Sequence, residues 1–193
     1  NLECPVIRRP TPIRKTGPIF GADAACLKTI KAAGIGAVCL ANNHIMDHGP
    51  EGLLTTLEVC AREGIRTVGA GRSLSEAREM LIVDADGLRV GVMALAEREF
   101  SIATTKSPGA CPLEIMDVIR TINGNRGRFD FLLVLVHGGD EFCVPSPRIK
   151  ETCHFLVESG APHGTVYLLL SVAEEIGLLG AGALKIEELD IEF

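Results

Sequence analysis

The sequence predicts an α/β domain, on three observations. Apolar segments alternate between strand and helix periodicity along the chain instead of falling into separate α and β blocks. Glycines follow the helical segments as stop signals. Apolar strand candidates end directly on polar residues, the arrangement by which α/β folds deliver side chains to their functional loops. With 193 residues, 47% of them apolar, the chain can bury one ordinary core.

The elements follow in order. Residues 22–33 read as a helix closed by Gly34, and 35–41 as a buried strand that delivers Asn42, Asn43 and His44 at its carboxyl end. Residues 50–63 form the next helix, with Pro50 at its start, Leu53, Leu57, Cys60 and Ala61 on one face, and Gly64 as its stop. A short strand is expected over 66–69. Residues 81–83 and 89–95 form a hairpin through Asp86-Gly87, a dipeptide that accepts positive φ. Residues 112–123 are helical, 131–136 are a strand ending on His137-Gly138-Gly139, and 147–159 are a helix closed by Gly160. A last strand is expected over 165–173.

Composition excludes several functions. A net charge of −6 without a basic run argues against nucleic acid, whose phosphates are held by clustered Lys and Arg. Arg8, Arg9, Arg14 and Lys15 are the densest positive group, and the expectation for them is a solvated loop, with Lys15 either structural or a contact for an anion. No apolar run reaches the roughly 18 residues that span a bilayer. Absence of tryptophan and a single tyrosine leave no stacking platform for bases or sugars. Seven cysteines without a Cys-x-x-Cys pair read as small buried hydrophobes, which favours a reducing, cytoplasmic compartment. His48 reads as a turn residue and His154 as a packed or surface side chain.

Three polar groups carry the chemistry: Asn1-Leu2-Glu3, Asn42-Asn43-His44 and His137-Gly138-Gly139. A dinuclear hydrolytic site needs a carboxylate that can bridge two cations, neutral oxygen or nitrogen donors, and a proton donor beside them. Glu3, Asn43, His137 and His44 supply these types in turn. Spacing alone leaves the alternative open that these are the polar strand ends of any α/β enzyme.

Asn1-Leu2-Glu3-Cys4-Pro5, Lys15-Thr16-Gly17-Pro18, Leu40-Ala41-Asn42-Asn43-His44 with Asp47 and Gly49, Gly69-Ala70-Gly71, and His137-Gly138-Gly139 with Glu141 resemble, in order and spacing, the capsule-synthesis CapA (poly-γ-glutamate) family. That family is similar to the calcineurin-like metallophosphatases, and the resemblance runs over residues 1–161. It implies a layered α/β/β/α sandwich and a site for two divalent metal ions, Mn, Fe or Zn. Glu3 would be the bridging carboxylate, Asn43 and His137 metal ligands, and His44 the catalytic acid or a phosphate-contacting imidazole. Asn1 is a weaker ligand candidate and Glu141 a further one. Asp47 either orients His44 or is a turn aspartate. The implied substrate is an anionic polymer or a phosphoester, and the implied partners are capsule-synthesis membrane proteins, with a membrane-associated extracytoplasmic place as the alternative to the cytoplasm.

The family pattern also has a Gly-Asp strand end before the Asn-Leu-Glu block and a His-Pro-His pair after the 147–159 helix, and neither occurs in this sequence. The expectation is a partial domain, truncated at its N-terminus and altered at its C-terminus, that binds one metal weakly and hydrolyses little or nothing. Residues 162–193 instead resemble a segment of the peptidase T-like dizinc exopeptidases. On that resemblance Glu174 would be a general base and Glu175 a zinc ligand, and a non-native join near 160–164 is expected. The competing functions are therefore a zinc exopeptidase fragment and a non-catalytic interaction module.

Overall fold

The computed structural model describes residues 1–97, 100–139 and 147–160. They form a mixed α/β structure of small sheets and helices: α1 (Ala25–Ala32), β1 (Ala37–Cys39), α2 (Gly49–Glu63), β2 (Arg66–Val68), β3 (Ala70–Gly71), α3 (Leu74–Ala77), β4 (Leu81–Ala85), β5 (Leu88–Ala96), β6 (Gly109–Ala110), α4 (Ile115–Asn125), β7 (Phe131–His137) and α5 (Pro147–Gly160). The strand expected over 165–173 lies outside the described residues.

The two N-terminal helices stop in the same way. Gly34 and Gly64 take φ of 81° and 70°, and the residue after each donates back into the last turn, Ile35 N to Ile30 O at 3.2 Å and Ile65 N to Cys60 O at 2.9 Å. This double closure satisfies carbonyls the helix would otherwise leave orphaned. It also draws Ile35 into the cap of α1, so β1 begins at Ala37 and not at residue 35 as expected. In α2 the buried stripe runs through Leu53, Thr56, Leu57 and Cys60, while Ala61 turns past its edge and is exposed.

The central hairpin joins β4 and β5 through Asp86 and Gly87, at φ of 55° and 91°, as the Asp-Gly dipeptide predicts. β7 adds parallel to β5, in a register that sets Ala96 beside His137. Both faces of this sheet are covered. Met93, Leu95, Leu132 and Val134 pack with Val118 and Ile122 of α4 and Leu156 of α5. Val92, Ala94 and Ala96 face a second cluster with Val38, Val68, Leu53 and Leu27. Such two-sided burial explains why β5 and β7 read as continuous apolar runs.

Backbone links carry the order across the small sheets. Leu2 N donates to Cys39 O at 2.9 Å beside β1, β1 pairs parallel with β2, Cys111 N donates to Gly69 O at 2.8 Å, and Ala96 N donates to Cys111 O at 2.8 Å. Gly69 sits at the closest approach, where a Cβ would lie 2.7 Å from the Cβ atoms of both Ala41 and Ala94, at a φ of 87°. Gly69→Ala therefore meets both a backbone and a packing conflict, and a stability loss of about 2–4 kcal/mol is expected in denaturant unfolding. An unchanged midpoint would show that the two layers can part there without cost.

Candidate functional site

Residues before β1 are fixed from two sides, which is what places Glu3. Leu2 is tied to β1, and Val6 N donates to Thr56 Oγ1 at 2.7 Å, a hydroxyl that in turn donates to Gly52 O at 2.8 Å within α2. Asn42, fully buried, follows β1: its Nδ2 donates to Leu2 O at 3.0 Å and to Asn1 Oδ1 at 3.2 Å, and its Oδ1 accepts the His44 amide at 3.1 Å. Asn42 thus ties the N-terminal segment to the loop after β1, and every polar atom of its amide is used in holding them together.

Across this brace three of the sequence candidates meet. His137 Nε2, at the end of β7, lies 3.1 Å from Asn43 Oδ1 and 3.6 Å from Glu3 Oε1. Asn1 stands behind the cluster, donating through Nδ2 to Glu3 Oε2 at 2.7 Å. Among the described residues no group of three or more His, Cys, Asp or Glu is arranged to hold a metal, so the third donor of this set is the amide oxygen of Asn43. One carboxylate oxygen, one amide oxygen and one imidazole nitrogen suit a divalent ion of borderline hardness. Neighbouring ligands bonded at about 2.1 Å stand roughly 3.0–3.4 Å apart; His137 and Asn43 stand at that spacing, and Glu3 Oε1 lies slightly beyond it from His137.

His44 begins a second, buried group. Its Nδ1 lies 2.7 Å from Asp47 Oδ2, and because a carboxylate has no proton to give, Nδ1 carries the hydrogen and Nε2 is left for other work. Asp47 is fully buried, accepts the Phe20 amide at 2.8 Å through Oδ2, and pairs through Oδ1 with the Lys15 ammonium. Burial opposes the charge on Asp47, but the bonds from Lys15, His44 and the Phe20 amide outweigh it and hold its pKa below the ordinary 3.8. The Phe20 ring lies 4.3 Å from the imidazole, tilted by 41°, and closes one side of it.

Asp47 lies in a turn with its carboxylate bonded to the His44 ring, and of the two expectations for Lys15 the structure has the structural one and not the solvated loop. Arg8 and Arg9 do lie on the surface, paired with Glu58 and Glu51, but the Lys15 side chain is only 6% exposed and belongs to the His44 group. The pairing spans 32 positions of sequence, so no local pattern announces it.

His48 is buried ahead of α2 and accepts the Thr11 amide on Nδ1 at 2.8 Å, a structural role consistent with its turn reading. His154 is exposed on α5. Cys4, Cys26, Cys39, Cys60, Cys111 and Cys153 are free thiols, and burial pushes Cys60 to about 11 and Cys111 to about 12, which keeps them protonated and unreactive. Glu141, Glu174 and Glu175 lie outside the described residues.

One residue of the site was not singled out by sequence reasoning. Glu97 directly follows β5, its backbone N–H donates to His137 O at 2.9 Å, and its Oε2 accepts the Gly139 amide at 2.7 Å. The signal that located Asn42–His44 and His137, an apolar strand ending on a polar residue, was present at Ala96-Glu97 as well.

Comparison with known proteins decides the ancestry of this arrangement. Residues 1–163 match the family described as bacterial capsule synthesis protein PGA_cap. The chain belongs to that family. A capsule biosynthesis protein CapA of Bacillus anthracis is 27% identical over 149 residues, 74% of this chain and 36% of that protein. The PGA biosynthesis protein CapA of Bacillus subtilis is 27% identical over 140 residues, 70% of this chain and 37% of that protein. A "probable polyglutamine synthesis accessory protein" of Mycobacterium tuberculosis is 51% identical over 138 residues, 64% of this chain and 36% of that protein. The chain thus spans a little over a third of the length of these PGA_cap relatives. Among the described residues no helix is long and apolar enough to cross a membrane.

Proposed function

We propose that this PGA_cap chain is a metal-dependent phosphoesterase-like domain serving capsule or poly-γ-glutamate biosynthesis, with weak metal binding and little hydrolysis as the chain stands. The convergence of Glu3 from the N-terminal segment, Asn43 from the loop after β1 and His137 from the end of β7 carries this reading. Capsule and poly-γ-glutamate synthesis enter from the names of the relatives, and the two-faced burial of the β4-β5-β7 sheet supports the layered sandwich that a metallophosphatase fold requires.

Glu3, Asn43 and His137 would hold a divalent ion, which would supply Lewis-acid polarisation of a phosphoryl oxygen. The chain's own residues do the rest. Glu3 contributes negative charge to the site, and Asn42 fixes the relative position of the segment that carries Glu3 and of Asn43. His44 Nε2 gives a proton to the departing ester oxygen, a contribution typically worth about 10²–10⁴ in rate. Asp47 holds the ring in the tautomer that presents Nε2 and stabilises the ring's positive charge, while Lys15 keeps the buried carboxylate ionised. Phe20 limits water on one face of the imidazole. The fitting substrate class is a phosphoester or an anionic polymer carrying one. Capsule-synthesis membrane proteins are the partners this reading implies.

The three donors among the described residues leave most of a coordination shell to water or to other groups, so affinity is expected to be low. The test is titration of the full chain with Mn²⁺, followed by electron paramagnetic resonance, alongside hydrolysis of bis(p-nitrophenyl) phosphate. One weak site and near-background hydrolysis are expected. No binding of Mn²⁺ or Zn²⁺ at millimolar concentration would discard the metal reading in favour of a non-catalytic module. Tight binding of two ions with rapid turnover would overturn the weak-activity part alone.

A further inference from the structure

Glu97 stands beside the proposed metal donors without being one of them, and its contacts fall on three consecutive residues. Its backbone N–H donates to His137 O at 2.9 Å, its side chain fills the space where a Cβ on Gly138 would come within 2.2 Å of Cγ, and its Oε2 accepts the Gly139 amide at 2.7 Å. Gly139 takes a φ of 107°, a conformation favoured by glycine, so the turn that follows β7 is shaped around this carboxylate. The other oxygen, Oε1, is cut off from solvent with the Arg148 guanidinium from the first turn of α5 as its counter-charge, and the side chain as a whole is 16% exposed. Oε2 is taken by the Gly139 amide and Oε1 faces the Arg148 cation, so the side chain is directed at the Gly138-Gly139 turn. A wandering His137 backbone would carry its imidazole away from Asn43 and Glu3, and the Glu97 clamp opposes that motion at the residue itself and at the two residues after it.

We infer that Glu97 is a positioning residue for His137: its carboxylate, anchored by Arg148, locks the Gly138-Gly139 turn so that the imidazole is presented to a divalent ion shared with Glu3 and Asn43. The inference rests on the metal reading above. Groups that orient a ligand without touching the ion typically change metal affinity 10–100-fold when removed.

The experiment compares the wild-type chain with Glu97→Ala and Glu97→Gln by Mn²⁺ titration, by hydrogen exchange of the Gly139 amide without metal, and by thermal unfolding without metal. Glu97→Ala is expected to weaken Mn²⁺ binding by about 10–100-fold and to speed Gly139 exchange. Glu97→Gln retains an oxygen acceptor for that amide, so it is expected to slow exchange again and to recover part of the affinity. A wild-type chain that binds no Mn²⁺ removes the metal reading and this inference with it. Wild-type binding together with equal binding by Glu97→Ala removes this inference alone, whatever happens to the melting temperature. If Glu97→Ala fails to fold, full affinity in Glu97→Gln with fast Gly139 exchange has the same overturning force.

Discussion

His137→Ala is expected to lower the Mn²⁺ affinity of the chain by at least about a hundredfold, beyond the usual range for residues that merely orient a ligand. The reason lies in the composition of the donor set. Asn43 offers a neutral oxygen that water can replace at modest cost, whereas His137 brings the one nitrogen donor of the set among the described residues and stands within 3.6 Å of both Asn43 and Glu3. Fold damage is not expected to confuse the result, because the His137 side chain is 30% exposed and ends its strand, so the loss in unfolding free energy should stay near about 0.5 kcal/mol. Asn43→Ala removes a neutral oxygen and should cost less affinity than His137→Ala. Unchanged Mn²⁺ binding in His137→Ala would mean that Glu3, Asn43 and His137 meet for a reason other than a shared cation.

Much of this site was legible because its signal is local. Asn42, Asn43, His44 and His137 each follow an apolar run at the carboxyl end of a strand, and that pattern survives in a single sequence whatever the tertiary packing does. Helix stops were legible for the same reason: Gly34 and Gly64 announce their left-handed backbone by being glycine. Lys15 was not legible. Its surroundings in sequence, charged and broken by prolines, describe a solvated loop, and only the fold reveals that it lies over Asp47. Helix starts were misplaced for a related reason. Residues 112–114 have an apolar-rich, proline-led composition that suits a first turn, but Leu113 N donates to Ala96 O at 2.8 Å, and that tie to the sheet delays α4 until Ile115.

The His44 group also shows how one fold can hold charge where water cannot reach. Asp47 is fully buried and Lys15 nearly so, and the ion pair between them lies in contact with an imidazole and an aromatic ring. Burial of the pair is weak grounds for stability by itself, since both ions lose hydration. Its value here is geometric: the carboxylate must accept from the His44 ring and from the Phe20 amide at once, and the ammonium is what keeps it ionised to do so.

Lys15→Met is therefore expected to destabilise the chain by about 3–5 kcal/mol at neutral pH, because it leaves Asp47 charged and buried with its cation gone. The pH dependence separates this account from simple loss of packing. In the wild type the pKa of Asp47 lies below the ordinary 3.8, so its stabilising contribution is complete above 3.8 and is lost as pH falls through the depressed folded value. In Lys15→Met, burial, the largest influence on this carboxyl, is opposed only by His44 and the Phe20 amide, and the pKa rises. Acid then relieves the variant by protonating the stranded carboxylate, while the same acid costs the wild type its ion pair, so the gap between them should narrow as pH is lowered. Adding Asp47→Asn to Lys15→Met should recover stability instead of removing more, since a neutral amide can still accept from the Phe20 N–H without stranding a charge. A deficit that stays constant from pH 7 down through and below 3.8, or a double variant less stable than Lys15→Met alone, would show that Lys15 supports the fold through its aliphatic stem and not through its charge.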